Sequence, residues 1–275
     1  MIKITDKSQC CGCTACASVC AHDAITMQPD AMGFLYPMAD ETKCVECGLC
    51  EKVCAFNDNY DTSLNFPQPD AYAARHKDME EVKTSRSGAA FIALSDYVLE
   101  QGGVVYGVGY TDHFRVIHKR ATTKEQRDEF KGSKYVQSDL TGVFRQVKKD
   151  LKDGLTVMFS GTPCQTAGLN SYIGKKLREK LILVDIVCHG VPAPYLWRDY
   201  IVDFRDKQKF GWAAHHETFK FVNGGGKMSF TYLFYQHIMF RPSCGKCHYA
   251  NTKRPSDITI ADFWGWEKTD PNINA

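Results

Sequence analysis

The sequence predicts two architectures in tandem, a small α+β unit at the N-terminus and a larger α/β domain with a mixed sheet. Three observations predict this. Two cysteine runs of identical spacing occupy the first part of the chain. A polar stretch carrying Pro67 and Pro69 follows, which is a linker signature. From about residue 70, apolar strand-like runs alternate with helical ones. The expected division is residues 1–58, a linker over 59–69, and a second domain over 70–275. A length of 275 residues suits about two domains.

In the first unit, Cys10, Cys13, Cys16 and Cys20 have the spacing C-x2-C-x2-C-x3-C, and Cys44, Cys47, Cys50 and Cys54 repeat it. This is the bacterial run for [4Fe–4S] clusters. Three thiolates two residues apart wrap one cubane, and the fourth points away to the cluster of the other run. The first cluster therefore takes Cys10, Cys13, Cys16 and Cys54, and the second takes Cys44, Cys47, Cys50 and Cys20. Cys11 is left over. Zinc sites usually pair C-x2-C with a distant second pair, and a disulfide scaffold needs a secreted chain. Neither pattern is present. Where the run usually continues with proline, this chain has Ala21 and Ala55. Ala24–Met27 reads as a strand, and Gly33–Pro37 as a turn and short strand. A ferredoxin-like module of this size cannot be stable by apolar burial alone, so its clusters would act as staples.

The second unit reads, in order, as a strand at Ala71–Arg75, an amphipathic helix from Gly88 to Leu99 closed by Gly102 and Gly103, and a strand at Val104–Tyr110. Phe114–Lys119 is expected to pair with that strand. Next come a helix over Asp139–Leu151, a buried strand at Leu155–Phe159, a helix over Gln165–Ile173, a buried strand at Leu181–Val187 and a helix over Tyr195–Phe204. Phe219–Val222 and Met228–Tyr235 suggest a hairpin around Asn223–Gly226.

Composition narrows the function classes. The chain is 44% hydrophobic and 24% charged, as globular proteins are. A net charge of +2 gives no bulk field for nucleic acid or an anionic membrane. The N-terminus has no apolar signal core, and no apolar run approaches the ~20 residues of a membrane span. Thirteen cysteines without an export signal point to a reducing compartment. The expectation is a cytoplasmic, oxygen-sensitive protein.

Cys164, Cys188, Cys244 and Cys247 form a second constellation. Cys164 follows one strand and Cys188 ends another, and ligands in open α/β sheets collect at such ends. Cys244-Gly245-Lys246-Cys247 adds a loop C-x2-C. The four could hold a third [4Fe–4S] cluster or a zinc ion, or pack as small hydrophobes. A nucleophilic Cys164 or Cys188 with His189 as base is a further alternative. Adjacent strand residues point to opposite faces, which weighs against the Cys188–His189 pair. His189 remains the one candidate catalytic residue. Neither G-x-G-x-x-G nor a Walker A run is present. Ser85–Gly88 precedes a helix and could bind phosphate there, or simply cap it. Lys131–Tyr135 could contact a dinucleotide, or be a solvated loop.

With the dicluster run, the stretches Ser85–Ala89, Gly132–Ser138, Gly161–Gln165, Cys188–Pro192, Cys244–Cys247, Asp257–Thr259 and Asp262–Gly265 resemble the coenzyme F420 hydrogenase/dehydrogenase beta-subunit family. The resemblance implies a flavin-binding α/β domain carrying the third [4Fe–4S] cluster. It implies FAD contacts from Ser85, Ser87 and Gly88, from Lys134, Tyr135 and Ser138, and from Ser160, Thr162 and Gln165. Family members usually continue past the Asp-Phe-Trp-Gly stretch, so a chain that stops at Ala275 is expected to be truncated or naturally short. The implied function is an iron–sulfur flavoprotein oxidoreductase. It would pass electrons from ferredoxin or another redox subunit through the clusters to FAD. A small organic two-electron acceptor, F420 or another, would then take them. The alternatives are a non-catalytic electron-transfer subunit and a zinc-stabilised interaction protein. Neither nucleic acid nor a membrane is an expected partner.

Overall fold

The computed structural model describes residues 1–57, 63, 65–66, 68–85, 87–111, 113–208 and 230–265, with backbone only at 202–208 and 231–232. Two short helices, α1 (Ala15–Val19) and α2 (Leu49–Lys52), carry the ends of the two cysteine runs. Each is entered through a residue in the left-handed region, Thr14 and Gly48, so that the preceding loop curls back on itself. Between them β1 (Ile25–Pro29) and β2 (Leu35–Ala39) pair antiparallel, Ile25 opposite Ala39. The turn between them closes on Asp30, whose carboxylate accepts from the Met32 and Phe34 N–H groups.

The second part is built on a five-stranded mixed sheet. Its strands are β3 (Val104–Tyr110), β4 (Val116–Ala121), β5 (Val157–Gly161), β6 (Leu181–Ile186) and β7 (Ile258–Ile260), in the order β4-β3-β5-β6-β7. Only β3–β4 is antiparallel. The helices are α3 (Met79–Thr84), α4 (Ala90–Glu100), α5 (Lys124–Asp128), α6 (Val143–Lys152), α7 (Pro163–Ile173), α8 (Pro194–Gln208) and α9 (Phe230–Tyr235). Strands β5 and β6 are buried along nearly their whole length, as central strands covered by helices must be. No described helix is long and apolar enough to cross a membrane.

Two expectations fail. Ala71–Arg75 is not a strand; its residues are exposed and no neighbouring strand offers a ladder. Within the expected hairpin, residues 219–229 lie outside the described residues, and Phe230–Tyr235 is helix α9. The physical reason is spacing. Phe230 and Phe234 are one helical turn apart, and both bury against Trp197 and Ile201 of α8. Elements α1, α2, α3, α5 and β7 have no counterpart among the elements expected from the sequence.

The N-terminal part is not a bead on a string. Cys11, Cys13, Ala15, Val53, Ala55 and Phe56 share one apolar core with Val104, Tyr106, Phe144, Phe159 and Leu183. The N-terminal part therefore need not rely on clusters alone for burial.

Candidate functional site

The first set of thiols is gathered at that shared core. Cys10, Cys13, Cys16 and Cys54 line one small hollow together with Ile2, Ile4, Met27 and Phe56. The thiols also feel one another. Burial pushes Cys16 up, and Cys13, Cys10 and Cys54 push it further. Burial holds Cys54 up at about 11, with Cys13 and Cys10 adding to it. Backbone N–H groups of Gly12, Ala15, Ala17 and Phe56 point at Cys10, Cys13, Cys16 and Cys54 respectively. Such N–H groups facing sulfur are what a thiolate-bound cluster uses to hold its charge. Among the described residues no three His, Cys, Asp or Glu side chains close on a single metal ion. A cubane is a larger body, with each thiolate on its own iron. The donor set, its burial and its inward N–H groups fit that body.

The second set is looser and nearer solvent. Cys47 is exposed and Cys44 half-buried. Cys50 accepts from Ile2 N–H at 3.3 Å, and Cys20 from Ala24 N–H at 3.4 Å. Both pack on the small core around Ile2 and Ile25.

The third set converges from three elements. Cys164 lies in the first turn of α7, just after β5, and Cys188 lies two residues past β6. Cys244 and Cys247 come from the 3-10 turn Pro242–Lys246 and the residue after it. Burial raises Cys188 to about 12, with Cys164, Cys244 and Cys247 adding to it. Burial likewise raises Cys244 to about 11, with Cys164 and Cys247 adding. Val191 N–H donates to Cys244 Sγ at 3.5 Å. Cys11, which spacing left unassigned, joins the first and third sets. It is buried beside Cys13 and Cys164, and its neighbourhood holds those two thiols below the usual value while its own is raised.

The residues implied for FAD fall into two groups. Ser138, Thr162 and Gln165 form one knot beside Cys164. Gln165 Nε2 donates to Ser138 Oγ at 2.9 Å, Gln165 Oε1 accepts from Thr162 N–H at 3.0 Å, and Thr162 Oγ1 lies 3.3 Å from Cys164 Sγ. The Ser160 carbonyl accepts from His118 Nε2 at 3.0 Å. In the other group, Ser87 and Ala89 take left-handed backbone, Gly88 is pressed against Ala74 O, and α4 begins with no side-chain cap. Ser85 Oγ is buried, with no hydrogen-bond partner among the described residues. A plain helix cap is thus not what Ser85–Gly88 forms. Lys131 ties this group to the next loop, its Nζ 2.7 Å from Glu81 Oε2. Lys134 Nζ donates to the Glu129 and Lys131 carbonyls, both at 2.9 Å, and burial lowers it to about 7. Tyr135 packs edge-on against Phe234.

His189 is exposed and does not bond Cys188; its Nε2 meets His237 Nε2 at 2.7 Å. Sequence reasoning missed His237, His118 and Arg241. Each is a single residue brought in by tertiary folding, with no local spacing to mark it.

Two family models match the chain. Residues 154–274 match the carboxy-terminal region of the coenzyme F420 hydrogenase/dehydrogenase beta subunit, and residues 9–57 match a 4Fe-4S dicluster domain. No curated protein matches. Among solved structures, a chain of a xenon-derivatised F420-reducing [NiFe] hydrogenase complex from Methanosarcina barkeri aligns over 52% of this chain and 52% of its own, at 20% identity and a TM-score of 0.40. The chain thus spans about half of that one, and so loose a likeness carries no inference.

Proposed function

We propose that this chain, an F420 hydrogenase beta-subunit-like iron–sulfur electron-transfer protein with a 4Fe–4S ferredoxin domain, is an FAD-dependent oxidoreductase with three [4Fe–4S] sites. Residues 1–58 form the dicluster domain and 70–275 the flavin domain. Cys10, Cys13, Cys16 and Cys54 hold one cluster, and Cys44, Cys47, Cys50 and Cys20 the second. Cys164, Cys188, Cys244 and Cys247 hold the third. The observation that carries the reading is the convergence of this last set beside Cys11 and Cys13. It supports a continuous line of thiolates from the exposed Cys47 to the carboxyl ends of β5 and β6.

Flavin, when bound, supplies the exchange between one-electron and two-electron chemistry. The buried Ser85 Oγ, with no partner among the described residues, and the uncapped start of α4 support a phosphate-bearing ligand there. Lys134, with its lowered pKa, is suited to hold or release a proton near neutral pH. The ferredoxin-type donor and the organic acceptor, F420 or another, belong to the same proposal, as does a cytoplasmic location.

Iron, sulfide and released flavin per chain, measured on protein purified without oxygen, test the reading. About twelve irons with one FAD is the expected result. About eight irons and no flavin leaves only the dicluster domain. Cys244→Ser should remove about four irons and uncouple flavin reduction from ferredoxin. Normal coupling in that variant overturns the route.

A further inference from the structure

Among the described residues, Arg241 is a buried cation with no carboxylate beside it. Its residue is 1% exposed. Arg127 is as deeply buried, and it has Asp96 Oδ1 at 2.6 Å and Asp128 Oδ1 at 2.9 Å. Arg120 has Asp150. Among the described residues no carboxylate pairs with Arg241. Its donors go to neutral oxygens: Cys10 O at 2.7 Å, Gln137 Oε1 at 2.8 Å and Leu35 O at 2.9 Å. Its guanidinium carbon stands 4.2 Å from the Tyr36 ring centre and 5.4 Å from that of Phe34. Neutral acceptors and ring faces satisfy the N–H groups. They leave a full positive charge in a low-dielectric place, which is costly unless an opposite charge is supplied.

The missing charge has an evident source. Arg241 Nη2 lies 3.6 Å from Cys10 Sγ. Gly12 makes room for it, since a Cβ there would meet Arg241 Nη1 at 2.7 Å. Four thiolates on a cubane leave a net negative group. Each one-electron reduction adds one negative charge, with no bond made or broken.

We infer that Arg241 is the buried counter-cation of the first cluster, stabilising its reduced form. This rests on the cluster sets proposed above. Arg241 is a positioning and tuning residue; it ligates nothing. Removing its charge makes that cluster harder to reduce. The second cluster, which no described contact ties to Arg241, serves as an internal control.

The experiment compares wild type, R241K and R241Q, purified without oxygen. Iron per chain is counted first. Cluster potentials are then read by electron paramagnetic resonance during titration with dithionite. In R241Q at least one potential should fall by about 59 mV or more, a tenfold change in a one-electron equilibrium, while R241K stays near wild type. R241Q losing about four irons while R241K keeps them also supports the inference. Full iron and unmoved potentials in R241Q overturn it, as does equal iron loss in R241K, which would make shape rather than charge decisive. About eight irons in wild type would sink the third cluster separately, and the first cluster's potential would still decide for or against Arg241.

Discussion

His118 shows how one side chain is fixed by its neighbours. A carbonyl can only accept, so the 3.0 Å contact with Ser160 O puts the proton on Nε2. Nδ1 is then a buried acceptor with no partner. The ring stacks on Phe159 at 5.0 Å with an interplanar angle of 3°. Burial lowers its pKa to about 4. Between about pH 4 and the unfolded value near 6.5, the unfolded chain binds the proton and the folded chain does not, so stability falls as pH falls through that window. The full loss is on the order of 3 kcal/mol. Denaturation midpoints measured from pH 7 to 4 should drop more steeply in wild type than in His118→Gln, and parallel curves would refute the assignment. Nothing near His118 in sequence announces this. The residue reads as one more polar position on an alternating strand, and its environment comes from Phe159 and Ser160, about forty positions away.

At the scale of elements, α7 explains why the first and third sets of thiols are adjacent. Pro163 starts it, and the Gln165 side chain turns back to Thr162 N–H, so the helix begins earlier than the expected Gln165. That brings Cys164 into its first turn. One turn on, Gly168 faces the cysteine loop before α1, where a Cβ would stand 2.6 Å from Cys13 Sγ. Two effects oppose each other in Gly168→Ala. Helix propensity favours alanine by about 1 kcal/mol, and overpacking costs about 1–3 kcal/mol. The clash is with Cys13, whose own backbone is held in the cysteine loop, so overpacking should win. The expected outcome is a less stable protein that loses about four irons under mild chelation, with the second cluster retained. Iron retention like that of wild type would show that α7 can shift. Helix α7 itself was legible because its apolar and small residues are bounded by Pro163 and Gly174. The contact through Gly168 was not, since a glycine inside a helix carries no sign of what it faces. The failed strand at Ala71–Arg75 teaches the same lesson. Local pattern proposed a strand, and no sheet edge was there to pair with it.

The two cysteine runs were legible because each is local; their x2-x2-x3 spacing is chemistry written in consecutive residues. In the proposed third set only Cys244 and Cys247 are neighbours in sequence, so bringing it together depends on β5 and β6 lying side by side. The docking of the N-terminal part on the sheet was not legible, because it is made of long-range contacts. Arg145 of α6 reaches the end of α1, donating to Ser18 O at 3.1 Å, Ala17 O at 3.0 Å and Cys20 O at 2.8 Å, with Asp23 at 2.6 Å. These are carbonyls that a helix leaves unpaired at its C-terminus, where a cation is also favoured by the dipole. Tyr249 hydroxyl donates to Ala55 O, and Gln137 Nε2 to Cys11 O at 2.9 Å. With one apolar core spanning both parts, the molecule should unfold as a unit. Loss of cluster absorbance and loss of far-ultraviolet circular dichroism are therefore expected to follow a single curve on heating without oxygen. Arg145→Ala removes three carbonyl contacts and one ion pair on a partly exposed side chain, a cost of about 1–2 kcal/mol. It falls wholly on the junction, so the cluster signal should then fail at a lower temperature than the sheet. Two separate curves already in wild type would mean that the dicluster part is held by its clusters alone, and the shared core would count for little.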